Sequence, residues 1–178
     1  MSLKVLEDPS VLIRTEENER TDEQSMIRAV NEAAFGGMEE AELVDSLRRS
    51  PDSLLSLVAE MEGRIVGHVL FSRMWVQTST ERVSAVALAP VAVVPEHQRK
   101  GIGSLLIERG LELLRGLDER IVIVVGHPDY YPRFGFSTDA AKSLESPFPC
   151  DAFMALELRT GALDGVHGAV VYPPAFGL

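Results

Sequence analysis

The sequence predicts a single α/β domain of the α+β kind, with a central mixed, mostly antiparallel sheet flanked by helices. Three observations point there. Residues 53–94 read as three successive strands with no helix between them, which argues against a regular doubly wound sheet. Residues 103–125 read as an amphipathic helix followed by an all-apolar strand, the pattern of a parallel strand-helix-strand unit buried on both faces. The 178 residues, 46% hydrophobic and 25% charged, suit one soluble globular domain over 1–178 with a sizeable core.

The elements follow in order. Residues 11–14 make a short first strand. Thr21-Asp22-Glu23-Gln24 reads as a helix start, with Thr21 as cap and Gln24 three residues on. Met26, Ile27, Val30, Ala33 and Ala34 recur at helical spacing until Gly36-Gly37 ends the run. A second helix over 39–49 buries Leu43, Val44 and Leu47. Residues 53–60 and 64–76 form a hairpin about Gly63, with Gly67 as a weak point or bulge. Residues 82–94 form a further apolar strand. The clearest helix runs over 103–117, with Leu105, Leu106, Ile107, Leu111, Leu113 and Leu114. Ile121-Val122-Ile123-Val124-Val125 is the doubly buried strand. A short helix over 130–134 and late strands over 152–158 and 166–172 complete the chain.

The formal net charge of -10 argues against nonspecific nucleic-acid binding and is compatible with a cationic substrate such as an amine. Cys150 is the only cysteine, so an intrachain disulfide is excluded and a reducing compartment is expected. It reads as a partly packed small residue in preference to a nucleophile. No His and Cys spacing suggests a metal site. The first eight residues carry no apolar run of a signal peptide, and no stretch approaches the roughly 20 apolar residues that cross a bilayer. A cytoplasmic protein that touches no membrane is expected.

The informative stretch is Val91-Ala92-Val93-Val94-Pro95-Glu96-His97-Gln98-Arg99-Lys100-Gly101-Ile102-Gly103-Ser104. It runs from a strand through a glycine-containing turn into a helix. A helix N-terminus offers free backbone N–H groups and partial positive charge, and glycines let an anion approach the backbone closely. Arg99 and Lys100 add charge in an otherwise acidic chain. The size suits a pyrophosphate. A P-loop is excluded because no Gly-Lys-Ser/Thr follows four spacers. A dinucleotide fingerprint is excluded because position 106 is Leu where a third glycine is required.

On these residues the chain resembles the GNAT superfamily of acyl-CoA-dependent N-acyltransferases. Gln98-x-x-Gly101-x-Gly103 matches its Arg/Gln-x-x-Gly-x-Gly/Ala signature, and Val91-Ala92-Val93 looks like the strand before it. Tyr130-Tyr131-Pro132-Arg133-Phe134-Gly135-Phe136 resembles its later aromatic-Tyr segment. Gly126-His127-Pro128-Asp129-Tyr130-Tyr131 is similar to bacterial acetyltransferases of the YhbS type. The resemblance implies a sheet splayed between the strands at 91–93 and 121–125. Acetyl-CoA, the co-substrate, would lay its pantetheine arm in that gap against Val91, Ala92 and Val93. The N–H of Val93 would meet the thioester carbonyl. The N–H groups of Gln98, Arg99, Lys100, Gly101, Ile102, Gly103 and Ser104 would hold the pyrophosphate.

The resemblance further implies an acetyltransferase that delivers acetyl to a primary amine by direct attack in a ternary complex, without a metal. Amine attack on a thioester needs a neutral amine, a stabilised oxyanion and a proton for the leaving thiolate. Val93 would serve the second need and Tyr131, at the position of the family's general acid, the third. Tyr130 is expected to pack.

No residue is assigned as base. An imidazole such as that of His127 suits proton abstraction near neutral pH, but turn histidines more often serve structure. Glu39, Glu40 and Glu42 lie early in the second helix, which borders the acceptor side in similar enzymes, but they read as a solvated helix start in preference. His68 reads as a satisfied core or surface residue, and Glu96 and His97 as shaping the phosphate turn. Arg133 reads as the partner of a nearby carboxylate in preference to a phosphate ligand. The competing reading is a noncatalytic acyl-CoA-binding or sensing domain. The acceptor, a small amine, stays open. Tyr172-Pro173-Pro174-Ala175-Phe176 is expected to cover the core or to join a homodimer interface.

Overall fold

A computed structural model of the chain describes residues 10–17, 19 and 21–178, without the side chain of Thr21. The expected Thr21 cap therefore lies outside the described residues. Strand β1 spans Val11–Thr15. Helices α1 (Thr21–Phe35) and α2 (Glu39–Arg48) follow. Three long strands come next: β2 (Ser53–Met61), β3 (Arg64–Gln77) and β4 (Arg82–Val93). Helix α3 (Ile102–Gly116) leads to β5 (Ile121–Val125), then β6 (Leu144–Glu145), β7 (Phe153–Glu157) and β8 (Gly168–Val171). Single 3-10 turns cover Pro95–His97, Tyr131–Phe134 and Pro174–Phe176.

The sheet runs β1-β2-β3-β4-β5-β7, and β8 joins the far end of β3 with β6 beside it. Neighbours along the main order are antiparallel except β4 and β5, the expected parallel pair. The two-residue β6 was not anticipated. It is too short to carry any alternation that could be read from sequence.

Helix α3 packs on one face of the sheet. Leu106, Ile107, Leu111 and Leu114 meet Leu57, Val69, Phe71, Val86, Leu88 and Val122 there. Helices α1 and α2 lie on the other face, where Ile27, Val44 and Leu47 meet Val58 and Leu70. Two glycines let α3 sit close. A Cβ on Gly110 would lie 2.3 Å from the Phe71 ring, and one on Gly67 would lie 3.0 Å from Leu106. The bulge expected at Gly67 falls on Val66, the extra residue between the Ala59–Gly67 and Glu60–Ile65 pairs.

The buried stripe of α1 differs from the expected one. Met26 is 43% exposed, whereas Glu23 and Asn31 are buried beside Ile27 and Val30. Glu23 is held by Arg14 through two hydrogen bonds (2.9 and 3.0 Å) and accepts the Glu17 N–H. A paired carboxylate can thus take an apolar position at modest cost. The C-terminal turn covers the core, with Ala175 and Phe176 packed against the α1–α2 cluster. No helix of the described residues is long and apolar enough to cross a membrane.

Candidate active site

The site begins with a gap in the sheet. Strand β4 pairs with β3 as far as Val93, and the Val94 N–H continues the ladder to the Val66 carbonyl (2.9 Å). In an antiparallel ladder the hydrogen-bonding direction alternates by residue. Val91 and Val93 therefore point their N–H and C=O groups away from β3. On that side β5 pairs with β4 only at Val86–Val122 and Ala87–Ile123. Beyond Ile123, strand β5 follows β7, through Val124–Met154 and Val125–Phe153. The backbone edge of Val91 and Val93 thus faces an opening. The Val93 carbonyl accepts the Gln98 side-chain amide (2.9 Å).

A bulge aims this edge. Leu70 on β3 stands opposite two β4 residues, Ala89 and Pro90, between the Val69–Val91 and Phe71–Leu88 pairs. The extra residue resets the alternation, so Val86 and Leu88 before it and Val91 and Val93 after it all face the α3 side. Pro90 has no N–H to lose and fits a bulge better than any paired position. Sequence reasoning read 82–94 as uninterrupted. A proline inside an apolar strand was the available signal.

The turn after β4 supplies donors. Pro95–His97 forms a 3-10 turn whose Pro95 carbonyl takes the Gln98 N–H (3.3 Å). Arg99 and Gly101 then adopt left-handed conformations, with φ of 61° and 86°. The Leu105 N–H closes onto the Gly101 carbonyl (3.0 Å). Among the described residues, the N–H groups of Arg99 through Ser104 meet no protein acceptor. Successive N–H groups curled through left-handed residues at a helix N-terminus form a concave anion-binding nest.

The opposite wall follows β5. The Gly126 N–H bonds the Ala152 carbonyl (3.0 Å), and the Tyr130 N–H bonds the His127 carbonyl (3.1 Å). The Tyr131 ring stands edge-on to Tyr130 (5.1 Å between centroids) and to Phe136 (5.9 Å). Burial first, and Tyr130 second, push its phenol up to about 12, so it stays protonated at neutral pH. The Tyr130 hydroxyl reaches across to the Ser104 hydroxyl (3.1 Å). Among the described residues Arg133 pairs with no carboxylate, contrary to expectation. Its Nε–H donates to the Tyr130 carbonyl (2.9 Å), and its guanidinium lies over the Tyr130 ring (4.4 Å). The short Tyr131–Phe134 turn folds it back locally.

These walls enclose a cleft of about 640 Å³. It gathers Val91, Val93, Gln98, Arg99, Gly101, Ile102, Gly103, Ser104 and Tyr131 of the residues singled out above, together with His97, His127, Tyr130 and Arg133. Ala92 and Lys100 do not line it. Ala92 is buried, opposite in alternation to Val91 and Val93, and Lys100 is exposed. Glu39, Glu40, Glu42 and Glu96 also lie outside. His97 has a buried Nδ1 with no partner among the described residues.

His68 lies opposite Ala92, fully buried. Asn31 donates to its Nδ1 (3.2 Å). Ser56 gives its hydroxyl proton to Glu16 (2.5 Å), so the His68 Nε2–H donates to Ser56 (2.9 Å). Burial, and then the charge of Arg48, lower the His68 pKa to about 3. Cys150 is exposed, not packed as expected, because it sits in a loop rich in proline. Among the described residues, no group of three or more His, Cys, Asp or Glu is placed to hold a metal ion.

Residues 15–138 match the acetyltransferase (GNAT) domain family. The chain is 43% identical to the uncharacterized N-acetyltransferase YjhQ of Escherichia coli (strain K12) over 128 residues, 70% of this chain and 71% of that protein. It is 35% identical to the uncharacterized N-acetyltransferase YhbS of the same strain over 153 residues, 84% of this chain and 90% of that protein. The crystal structure of Escherichia coli YhbS in complex with CoA superposes with a TM-score of 0.86 at 33% identity, covering 95% of this chain and 93% of that one. A GNAT family acetyltransferase from Brucella melitensis in complex with acetyl-CoA superposes with a TM-score of 0.77 at 35% identity, covering 93% and 97%.

Proposed function

The chain belongs to the GNAT acetyltransferase family, and on that premise we propose that it transfers acetyl from acetyl-CoA to a primary amine by direct attack in a ternary complex. One observation carries the reading: the open backbone edge of Val91 and Val93, the unpaired N–H nest and the protonated Tyr131 line one cleft. Acetyl-CoA fits each wall chemically. A pyrophosphate suits the nest, an amide-bearing arm suits an unpaired strand edge, and a thioester suits a donor beside a phenol. The complexes of the YhbS and Brucella melitensis proteins with CoA and acetyl-CoA support the same co-substrate here.

Each group has one task. The N–H groups of Arg99 to Ser104 bind the pyrophosphate, aided by the Arg99 charge. Lys100 adds field from outside the cleft. Val91 and Val93 pair with the pantetheine amides as a further strand would. Coenzyme A supplies the acetyl group activated as a thioester. The Val93 N–H donates to the carbonyl oxygen as it gains negative charge. A neutral amine forms the C–N bond, the C–S bond breaks, and Tyr131 Oη–H gives its proton to the departing sulfur. The amine's surplus proton leaves to water. Solvent then restores the Tyr131 proton, which its raised pKa favours.

The test is release of free thiol from acetyl-CoA against spermidine, tryptamine, an amino acid and a peptide with a free N-terminus. Release with at least one amine, lost by roughly 100-fold in Tyr131→Phe while acetyl-CoA affinity is kept, is the expected result. Binding of acetyl-CoA without release for any amine would replace this reading with that of an acyl-CoA sensor.

A further inference from the structure

We infer that Gly126 is a positioning residue for Tyr131. The inference rests on the acid role proposed for that tyrosine. Gly126 ends the run of β5, with its N–H still bonded to the Ala152 carbonyl of the neighbouring chain segment (3.0 Å). Its backbone is not in the left-handed region, unlike that of Gly135 nearby at φ 97°. Conformational freedom is therefore not what requires a glycine at 126. Space is. A Cβ placed there would lie 2.3 Å from Tyr131 Cε2, 2.9 Å from Cδ2 and 3.2 Å from Cζ. Ordinary carbon contacts begin near 3.5 Å, so the ring would have to withdraw by about 1 Å.

Three aromatic neighbours flank the ring, so the side left open to it is the cleft that it lines. Tyr130 stands edge-on at 5.1 Å, Phe136 at 5.9 Å and Phe134 at 6.5 Å. Phe136 is itself 1% exposed in the α3-side core. Gly126 thus leaves room for the Cε2 edge of the phenol ring, with the aromatic neighbours on its other sides. A methyl group at that edge pushes the ring into the cleft and displaces its hydroxyl from the thioester end. Displacement of a proton donor by about 1 Å costs on the order of 100-fold in rate. The nest and the β4 edge lie on the other wall, so binding of acetyl-CoA is spared.

The experiment is a cycle of wild type, Gly126→Ala, Tyr131→Phe and the double variant. Acetyl-CoA affinity and thiol release are measured on each with the best amine of the panel above. Gly126→Ala is expected to lower kcat by about 10- to 100-fold, with acetyl-CoA Kd within about twofold, and to change nothing further once Tyr131→Phe has removed the hydroxyl. An undiminished kcat in Gly126→Ala overturns the inference, as does an equal loss in both backgrounds. If Tyr131→Phe itself leaves turnover intact, it is the acid assignment that fails. Should Gly126→Ala not fold, Gly126→Ala/Tyr131→Ala is examined. Recovery of a folded, acetyl-CoA-binding protein on removing the ring supports the contact, and failure to recover overturns it.

Discussion

The hydroxyls of Tyr130 and Ser104 meet at 3.1 Å and join the two walls of the cleft. Ser104 belongs to the first turn of α3, Tyr130 to the segment after β5, and the bond spans 26 positions of sequence. Tyr130→Phe and Ser104→Ala should each weaken acetyl-CoA binding by about 2- to 10-fold, the worth of one net hydrogen bond. The double variant should be no worse than either single one, because both remove the same bond. Calorimetric titration of the four proteins checks this; additive losses would mean that the two hydroxyls act separately.

The two glycines of the phosphate turn should fail in different ways. Gly101 has a φ of 86° with open space around the missing Cβ, so Gly101→Ala carries conformational strain alone, about 1–2 kcal/mol. Melting temperature and acetyl-CoA affinity should both fall. Gly103 lies inside the helix, and a Cβ there would stand 3.4 Å from Tyr130 Oη and 3.8 Å from Val93. Gly103→Ala should hold or raise the melting temperature, since alanine favours helix, while its methyl group narrows the cleft and weakens binding. Thermal melts beside binding curves separate the two effects.

Gly110→Ala tests the packing of α3 on β3. Alanine gains about 1 kcal/mol of helix propensity. Against that, its Cβ would lie 2.3 Å from two atoms of the Phe71 ring, which is fully buried. Overpacking of this kind costs about 1–3 kcal/mol or more, and the overlap places this case at the upper end. A net loss of about 2 kcal/mol and a fall in melting temperature of about 4–8 °C are expected. An unchanged or raised melting temperature would show that α3 shifts freely on the sheet.

His68 gives stability a pH dependence of known sign. The unfolded histidine binds a proton below about pH 6.5, whereas the buried one resists it down to about 3. Between those values the unfolded state holds more protons, so stability is complete above pH 6.5 and is lost as the pH falls. The slope approaches about 1.4 kcal/mol per pH unit in the lower part of the window. Urea unfolding at pH 7 and pH 5 should therefore show His68→Gln losing less stability on acidification than wild type. Equal losses would contradict the buried, neutral assignment.

Much of the site was legible because its parts lie on regular elements with local rules. The strand-turn-helix over 91–104 announced itself through Gly101 and Gly103 beside Arg99, and the paired glycine and tyrosine spacing located the second wall. The hairpin of β2 and β3 followed from two apolar runs parted by Gly63. What stayed hidden depends on partners far apart in sequence. Glu23 counts only as part of a helix start until Arg14 is seen to neutralise it. His68 reads as ambiguous until Asn31 and Ser56 close on both of its nitrogens. Ala92 was grouped with Val91 and Val93 although strand alternation separates it from them; what stayed hidden is the Ala89–Pro90 bulge, which decides which of the two sets faces the α3 side. Arg133 has its partner within the Tyr130 ring and carbonyl, a contact that spacing alone does not distinguish from an ion pair.

The central claim is that one cleft presents the β4 edge and Tyr131 to the same thioester. A crystal structure of this protein with CoA bound tests it most directly. The account predicts the pyrophosphate on the N–H groups of Arg99 to Ser104, the arm along Val91 and Val93, and the sulfur within about 3.5 Å of Tyr131 Oη. A sulfur remote from Tyr131, or phosphates seated away from the nest, would contradict it.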